Sequence, residues 1–455
     1  MSSTPAVDLP VDETASRWRA SVLVLALTLA FTLSYVDRQV LALLVEPITA
    51  DLGINDTQFG LLQGLAFALF YVGFGLPLGR LADSGSRRNL IVVGVGLWSV
   101  MTIACGAATS FLALFCTRAG VGVGEATLSP AAYSMISDTV PKRHLSFALG
   151  VYHMGVYLGA GAALLVGGIL LKWLSQTELG GLPFVGHWSP WRLVFLCVGA
   201  PGLIMASALI LLREPRRTQF DGSSTEVIPT VREAARFLLA ERRVFGALIL
   251  GFSCHNIMLY ALLGWTPAFL GRRFDLQPAD VGLALGLVTS LGGCAGLLVG
   301  GFGSDRLLAA KRGDAPLLVG IIAMMGIGLA ASLMLFASDA RTASLAFGLV
   351  MFFVALPLGS VAAAIQLVAP NRFRAQVSAL YITSISLAGL LLGPLLPPLI
   401  SDRLLGNPIQ IGTALFLTVV IVCTISISCL LVGRGAYARR YAAIHFCRPF
   451  QEDCR

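Results

Sequence analysis

Four ionisable side chains lie inside long apolar stretches of this chain, where charged residues are otherwise rare. Asp37 and Arg38 fall in the first such stretch, and Arg118 and Glu125 fall in the fourth. Ionisable groups within membrane-spanning helices are costly, and they usually line a cavity or an ion path. Apolar surroundings disfavour a charged carboxylate, whereas a neighbouring arginine favours it. A carboxylate that moves from one of these environments to the other can therefore bind or release a proton. The pattern predicts a charge network for proton coupling.

Helix geometry indicates the relative depths of these charges. Arg118 and Glu125 are seven residues apart, so they share one helix face, with about 10 Å between their Cα atoms along the axis. Asp37 and Arg118 each lie about six residues from the outer end of their helix, so they could pair, with Glu125 nearer the midplane. The alternative is a static salt-bridge cluster that holds the first half together. We favour coupling because the matching positions of the second half carry no charge.

The elements that position these residues are apolar segments long enough to cross a bilayer. Only 12% of the residues are charged, against about 25% in soluble proteins. A spanning helix needs roughly 20 mostly apolar residues, and twelve segments qualify: 20–43, 58–82, 90–109, 112–137, 145–171, 191–212, 244–271, 279–304, 316–337, 342–367, 375–400 and 409–433. They are too long and uniformly apolar for the strands of a membrane barrel. We predict an all-α integral membrane protein with twelve transmembrane helices in two pseudo-symmetric six-helix halves.

The basic residues indicate the orientation of the chain. With an internal N-terminus, 24 of the 32 Lys and Arg residues fall in internal segments and five in external loops, which is the positive-inside pattern. The net charge of +8 therefore reflects topology, and we expect no nucleic acid partner. The predicted organisation is a cytoplasmic N-tail (1–19), a six-helix bundle (20–212), a cytoplasmic linker (213–243), a second six-helix bundle (244–433) and a cytoplasmic C-tail (434–455).

Other features narrow the class of protein. The nine cysteines have no paired or metal-like spacing, so we expect no metal and no cofactor. The sequence contains neither an ATP-binding motif nor the intramembrane residues of a protease, which argues against an enzyme. Acidic residues precede the first span, unlike a signal peptide, so we expect that span in the mature protein. Residues 231–243 have helical periodicity, and they are predicted to lie along the inner membrane surface.

A short polar loop occurs twice, 222 residues apart, where an apolar run ends. The copies share a glycine, an aspartate four residues later and a basic pair: Gly79, Asp83, Arg87 and Arg88 in the first, and Gly301, Asp305, Lys311 and Arg312 in the second. The glycine lets another helix approach, and the aspartate can accept hydrogen bonds from the start of a neighbouring helix. The half-chain spacing predicts a duplicated transporter with its substrate between the halves.

This duplicated loop resembles the signature loop of the major facilitator superfamily, and the resemblance covers all twelve predicted helices. It implies an inner gate in the outward-facing state. In this gate Asp83 caps the start of the eleventh predicted span (375–400), and Asp305 caps the start of the fifth (145–171). Spaced small residues in the fifth and eleventh predicted spans look like the interface where the halves rock against each other: Gly155, Gly159, Gly389, Gly393 and Pro394.

The sequence around the charges is similar to the Spinster-type branch of that superfamily. The matching segments are Tyr35-Val-Asp37-Arg38, Arg118-Ala-Gly-Val-Gly122-Val-Gly124-Glu125-Ala126, Ser129-Pro130, Asp138 and Leu263-Gly-Trp265-Thr-Pro267. Members are associated with export of sphingolipid-derived signals and lysophospholipids, which implies a lipid-like substrate. The anion–cation symporter branch shares the Asp-Arg pair and a Gly-x-x-Glu-Ala element. The Gly-x-Gly-Glu-Ala form and Asp138 favour Spinster.

We predict a proton-coupled secondary transporter of an amphipathic lipid-like substrate, working by alternating access in the bacterial inner membrane. The alternative is a proton-coupled symporter of a small organic anion or sugar acid, with Arg38 or Arg118 as the clamp. Candidate cavity residues are polar or aromatic side chains within the spans: Tyr35, Tyr152, His153, His255, Asn256, Tyr260, Tyr381 and Ser384. Expected partners are the substrate, protons and membrane lipids, and the protein is expected to be a monomer.

Overall fold

The computed structural model describes residues 13–177, 188–215, 217, 231–310 and 312–445. Within these ranges the chain is helical, with no β-strand. The helices are α1 (Glu13–Leu43), α2 (Val45–Leu52), α3 (Asp56–Gln63), α4 (Leu65–Ser84), α5 (Arg87–Gly106), α6 (Phe111–Glu125), α7 (Leu128–Thr139), α8 (Lys142–Gln176), α9 (Pro190–Ile210), α10 (Val231–Ala240), α11 (Arg242–Phe274), α12 (Pro278–Ala309), α13 (Ala315–Leu335), α14 (Ala340–Ala355), α15 (Leu358–Val368), α16 (Asn371–Leu399) and α17 (Ile411–His445). A π-helical turn (Ile400–Leu404) follows α16, and a 3-10 turn (Pro408–Gln410) precedes α17.

The predicted fold class is confirmed. Among the described residues, eleven helices are long and apolar enough to cross a membrane, and the shorter apolar helix Ala340–Ala355 supplies the twelfth span. The first half consists of α1, α3 with α4, α5, α6 with α7, α8 and α9. The second half consists of α11, α12, α13, α14 with α15, α16 and α17.

Three spans are interrupted, two of them near the middle, which the hydropathy pattern did not predict. Pro130 lacks an N–H and its ring crowds the carbonyl of Ala126, so α6 ends at Glu125 before α7 begins. Pro357 divides the equivalent span of the second half between α14 and α15. Gly64 separates α3 from α4. The break after Glu125 leaves that carboxylate at a helix end in the centre of the first half.

The two halves are held together at one end, which we call the closed end. There Arg272 of α11 forms ion pairs with Asp56 of α3 and Glu46 of α2. Thr57 donates its hydroxyl to Oδ2 of Asp402 at 2.6 Å, which adds a second polar link between the halves. Along the middle of the molecule, α8 packs against α12, and α16 packs against α3 and α4.

The opposite end, which we call the open end, carries the two repeated loops. Asp83 and Asp305 are both exposed there. A Cβ added at Gly79 or Gly301 would meet no atom within 4 Å, so no other helix packs closely against either glycine at that point. The structure is therefore open at the loop-bearing end. The predicted capping contacts belong to the opposite state and stay a prediction.

The predicted role of the spaced glycines is wrong for four of the five positions. Gly155 and Gly159 of α8 pack against α1 of their own half, where a Cβ on Gly155 would lie 3.1 Å from Oγ1 of Thr32. Gly389 and Gly393 of α16 pack against α11, again within one half. Close helix packing explains the spacing, but the sequence does not reveal which neighbour each glycine faces.

Other small residues do line the contact between the halves. A Cβ on Gly60 of α3 would lie 2.7 Å from the carbonyl oxygen of Pro394, so Pro394 is at the interface as predicted. A Cβ on Gly286 of α12 would lie 2.8 Å from the amide nitrogen of Leu165 in α8. These glycines allow the two backbones to approach closely.

Part of the predicted linker is described, and its helix is present as α10. Phe237 of α10 stacks on Phe373 of α16, with ring centroids 4.9 Å apart. The guanidinium of Arg440 lies 5.2 Å from the ring centroid of Phe237. The helix is thus fastened to the second half as well as being amphipathic. Residues 1–12, 178–187, 216, 218–230, 311 and 446–455, which include parts of both predicted tails and of the linker, lie outside the described residues.

Candidate functional site

The centre of the first half contains an ion pair between α1 and the end of α6. Nε of Arg38 lies 2.5 Å from Oε2 of Glu125. The hydroxyl of Ser34 donates to the same oxygen at 2.6 Å. Glu125 is only 1% exposed, so this pair is shielded from solvent and its electrostatic attraction is strong.

Asp37 has different partners from those the sequence suggested. Thr102 of α5 donates its hydroxyl to Oδ2 of Asp37 at 3.2 Å. Nη1 of Arg118 donates to the backbone carbonyl of Asp37 at 3.3 Å, not to its carboxylate. Adjacent residues of a helix point about 100° apart. Consequently Asp37 faces α5 while Arg38 faces α6, and the carboxylate pair to Glu125 is made by Arg38.

Two buried polar atoms of the charge network have spare hydrogen-bonding capacity. In the described part of the chain, Oε1 of Glu125 and Nε of Arg118 have no hydrogen-bond partner. Buried polar atoms are normally satisfied by protein or ordered water. The free oxygen of Glu125 can therefore accept a proton or a water hydrogen bond without displacing Ser34 or Arg38 from the other oxygen.

Glycines bring α6 close enough to its neighbours to place Glu125 at this point. A Cβ on Gly122 would lie 2.6 Å from the carbonyl oxygen of Phe67 in α4. A Cβ on Gly124 would lie 2.7 Å from the backbone nitrogen of Trp98 in α5. Such distances are shorter than any van der Waals contact, so larger residues would push α6 away. The Gly-x-Gly-Glu element is thus a packing requirement of the site.

Aromatic rings surround the Arg38 guanidinium. Its Cζ atom lies 4.8 Å from the ring centroid of Tyr35, 4.5 Å from that of Phe67 and 4.9 Å from that of Tyr71. Cation–π contacts of this kind stabilise a desolvated cation by about 2 kcal/mol or more. The rings therefore retain the arginine inside the apolar bundle even if its carboxylate partner changes.

A small cavity adjoins the charge network at the junction of the two halves. Its walls include Arg38, Arg118 and Gln63 from the first half and Tyr260 and Leu263 from the second. Its volume is about 40 Å³, and one water needs roughly 10–15 Å³ of such space. The cavity can hold a few waters in this state. Both halves contact it, so their relative position controls its size.

Tyr152 and His153 form a second group on the open-end side of Tyr35. The ring of Tyr152 stacks on Phe31 with centroids 4.4 Å apart. Nε2 of His153 lies 3.1 Å from the hydroxyl of the exposed Tyr133. This aromatic group is linked to the charge network through Phe31, which also contacts Tyr35. In this group Tyr133 is exposed and His153 is half-buried, whereas Tyr152 is buried.

The structure does not bring the four other predicted cavity residues of the second half into this cavity. His255 is buried, and Asn256 donates to the carbonyl of Ile385 at 2.9 Å within the same half. Tyr381 is buried in a separate apolar cluster of the second half. Ser384 donates to the carbonyl of Leu380 one turn earlier. Only Tyr260 among the second-half candidates lines the central cavity.

Arg87 of the first loop has a structural role that the sequence did not predict. It is fully buried and forms ion pairs with Asp138 of α7 and Glu214 beyond α9. Burial alone would raise the pKa of Glu214, but hydrogen bonds from the Arg88 amide, Arg87 and Ser86 outweigh it and lower that pKa. This network ties the loop to the start of the linker, whereas Asp83 stays free in this state.

Sequence reasoning missed several partners of the charged residues. Ser34 lies four residues before Arg38 and so shares its helix face, a signal that periodicity could have given. Thr102 and Gln63 come from other helices, and their proximity depends on helix rotation. The ion pairs of Arg272 with Asp56 and Glu46 were also not predicted, because they join segments that are far apart in the sequence.

Comparison with known proteins adds family information to this geometry. Residues 27–394 match the Major Facilitator Superfamily. The chain is 30% identical to an MFS-type efflux pump of Mycolicibacterium smegmatis, covering 92% of this chain and 94% of that protein. It is 26% identical to a probable L-galactonate transporter of Escherichia coli, covering 78% of each. A crystal structure of a bacterial homolog of the human lysosomal transporter Spinster, inward-facing and unoccupied, superposes with a TM-score of 0.73 at 28% identity, covering 93% of this chain and 97% of that one.

Proposed function

The chain belongs to the Major Facilitator Superfamily, and from this we propose that it is a proton-coupled transporter of an amphipathic lipid-like substrate that works by alternating access. Members of this superfamily are membrane transporters and not enzymes, so the open question is what drives this protein and what it carries. The proposal concerns both points.

The observation that carries the coupling proposal is the buried Arg38–Glu125 pair with a free carboxylate oxygen. The guanidinium of Arg38 contacts the carboxylate of Glu125 at 2.5 Å. A proton added at Oε1 would cancel that attraction and release the guanidinium. Arg38 also lines the cavity that Tyr260 of the second half contacts. Protonation of Glu125 and the position of the second half are therefore linked, as coupling requires.

Asp37 is the second carboxylate of the proposed mechanism. It is buried beside Thr102, and Arg118 contacts its backbone carbonyl. A change in the rotation of α1 would alter the surroundings of Asp37 and Arg38 together, because they are adjacent in sequence. We assign Glu125 as the proton site and Asp37 as a residue that adjusts the charge around it.

The lipid-like substrate is supported by the resemblance to Spinster proteins and by the aromatic lining. Tyr133 and Phe147 are exposed on α7 and α8, and the stacked rings of Tyr152 and Phe31 are buried between Tyr133 and Tyr35. Few fixed charges accompany these rings. A ligand with one charged headgroup and an apolar tail would place the headgroup near Arg38 and the tail along the aromatic side chains.

A small organic anion or sugar acid is the second candidate. One observation favours it: Arg38 and Arg118 both line a cavity of only about 40 Å³, which suits a carboxylate better than a lipid in this state. The relative described as a probable L-galactonate transporter is consistent with this class. Arg38 or Arg118 would then bind the carboxylate of the substrate.

Transport by the purified protein in liposomes distinguishes the two substrate classes. A lysophospholipid, a sphingoid base and a sugar acid would each be offered with and without an imposed pH gradient. The proposal predicts gradient-dependent movement of a single-chain lipid and none of the sugar acid. Gradient-driven uptake of the sugar acid alone would replace the lipid with the second candidate. Transport at the same rate with and without the pH gradient would contradict proton coupling.

The proposed setting is the bacterial inner membrane, with a monomer whose termini are cytoplasmic. The distribution of basic residues supports this orientation, with 24 in segments assigned inside and five outside. The open end then faces the cytoplasm, and the ion pairs of Arg272 lie at the external surface. The proposed domain boundaries remain those predicted from the sequence.

A further inference from the structure

A basic groove lies at the open end of the second half, away from the transport path. Arg242 and Arg243 at the start of α11 and Arg439 and Arg440 near the end of α17 line it together. The groove has a volume of about 770 Å³, within the range of roughly 300–1,000 Å³ typical of ligand sites. It is therefore large enough for the polar headgroup of a phospholipid.

Most of the positive charge in this groove is uncompensated. Arg440 is engaged, since its Nη1 lies 2.5 Å from Oε1 of Glu241 and its Nε donates to Val368. Within the described ranges, the side chains of Arg242, Arg243 and Arg439 make no hydrogen bond or ion pair. Like charges gathered around one cavity repel each other, and this repulsion falls when an anion is bound.

The arginines lie at the depth of lipid headgroups. Leu250 of α11 is 57% exposed and Val432 of α17 is 78% exposed, as expected for lipid-facing positions. They lie eight and seven residues from Arg242 and Arg439, which corresponds to about 12 and 10 Å along the helix axes. The arginines of the groove thus lie two to three helical turns from exposed apolar residues of the same helices.

We propose that this groove binds the phosphate of an anionic phospholipid from the leaflet at the open end. Basic pockets between transmembrane helices on the cytoplasmic side commonly bind acidic headgroups. Arg242, Arg243 and Arg439 contact the phosphate, and Arg440 positions the wall by joining α17 to Glu241. The bound lipid links the start of α11 to the end of α17 and stabilises the second half.

The equivalent groove of the first half provides an internal comparison. It lies between the start of α1 and the end of α9, and it contains Arg19, Arg213 and Glu214. Among the side chains that the structure describes, two arginines line that groove together with one carboxylate, so the net charge of these side chains is lower. On the described side chains, the second-half groove is the more basic of the two.

Lipid-dependent thermal stability of the purified full chain in detergent tests this assignment. Phosphatidylglycerol, phosphatidylcholine and inorganic phosphate serve as separate probes, since a ligand of the native state raises the melting temperature. The test variant is Arg242→Gln/Arg439→Gln. The control is Arg306→Gln/Arg312→Gln, which removes the same charge from exposed positions of the same half and end. The test variant should bind phosphatidylglycerol roughly 10- to 30-fold more weakly than wild type, and the control should stay within about two-fold.

Three results would overturn the proposal. Equal stabilisation by phosphatidylcholine would show that no acidic headgroup is recognised. Full stabilisation by inorganic phosphate at millimolar concentration would assign the groove to a free anion. An equal loss of phosphatidylglycerol binding in the control variant would show that the effect depends only on the overall charge of the protein. If the double variant does not fold, Arg242→Gln and Arg439→Gln alone should each weaken binding about five-fold, and unchanged binding in both would equally reject the site.

Discussion

The ion pair at the closed end should determine how readily the two halves separate there. Nη1 and Nη2 of Arg272 contact Oδ2 and Oδ1 of Asp56 at 2.5 and 2.8 Å. Asp56 is 4% exposed, so the pair is largely removed from water. It joins α11 to α3 across the halves, and it must break when the closed end opens. Asp56→Asn should therefore favour opening at that end.

The size of the effect follows from the geometry of the contact. Hydrogen bonds to charged groups contribute about 1.5–3 kcal/mol, and this bidentate pair is charged on both sides. A loss of about 2 kcal/mol in one state alone changes the ratio of the two states about 30-fold. Glu46 makes a single 2.7 Å contact to Arg272 with its side chain 46% exposed. Exposed pairs contribute about 0.2–1 kcal/mol, so Glu46→Gln should change the ratio less than about five-fold.

Spin labels on either side of the closed end provide the measurement. In a background without native cysteines, Leu112→Cys and Arg341→Cys place labels on exposed positions of the two halves. The distance distribution should shift toward longer values in Asp56→Asn, and Arg272→Gln should reproduce the shift. An unchanged distribution in Asp56→Asn, or an equal shift in Glu46→Gln, would refute this account of the closed end.

Three further expectations concern the gate, the packing and the topology. Asp83→Asn should favour the state open at the loop end, because the proposed helix cap exists only in the other state. Labelling of cysteines placed in the cavity on the closed-end side should therefore fall, and unchanged labelling would count against the gate. Gly122→Ala should lower the stability of the folded protein by about 1–3 kcal/mol, because the new Cβ would lie 2.6 Å from the Phe67 carbonyl oxygen; Gly96→Ala, with open space around it, is the control, and equal melting temperatures would contradict the packing argument. A reporter fused after Arg217 should be active only in the cytoplasm, and activity outside would overturn the topology.

The fold was predictable from the sequence because each span is a long apolar run. The interruptions were not, since a single proline or glycine changes the backbone without changing hydropathy. Pro130 and Pro357 each divide a span, and the first of these leaves Glu125 at a helix end. The duplicated loops correctly predicted two halves, and the family assignment agrees with them.

The pairing inside the candidate site was only partly predictable. Depth along each helix predicted that Asp37 and Arg118 lie close together, and Nη1 of Arg118 does contact the backbone carbonyl of Asp37. Depth does not fix the rotation of a helix about its axis, so the sequence did not predict which atom of Asp37 Arg118 contacts, or that Arg38 pairs with Glu125. The same limit applies to Gly155. Its spacing predicts close helix packing, but it does not predict which helix Gly155 packs against. Contacts between distant segments depend on this rotation.

Asp37→Asn separates the two carboxylates of the network. Asp37 accepts a hydrogen bond from Thr102, and asparagine can keep that contact while losing the charge. Gradient-driven transport should weaken without disappearing, because Glu125 still binds the proton. Complete loss of gradient dependence in Asp37→Asn, with normal folding, would assign the proton to Asp37 instead.

The most direct measurement of the central claim is transport by Glu125→Gln in liposomes with and without a pH gradient. Glutamine keeps the size of the side chain and an oxygen for Arg38 and Ser34, but it cannot release a proton. The account predicts that substrate still binds, as judged by thermal stabilisation, while gradient-driven accumulation is lost. Glu46→Gln, the same substitution outside the network, should respond to the gradient like wild type. If Glu125→Gln also responds like wild type, this carboxylate is structural and the proposed proton mechanism is wrong.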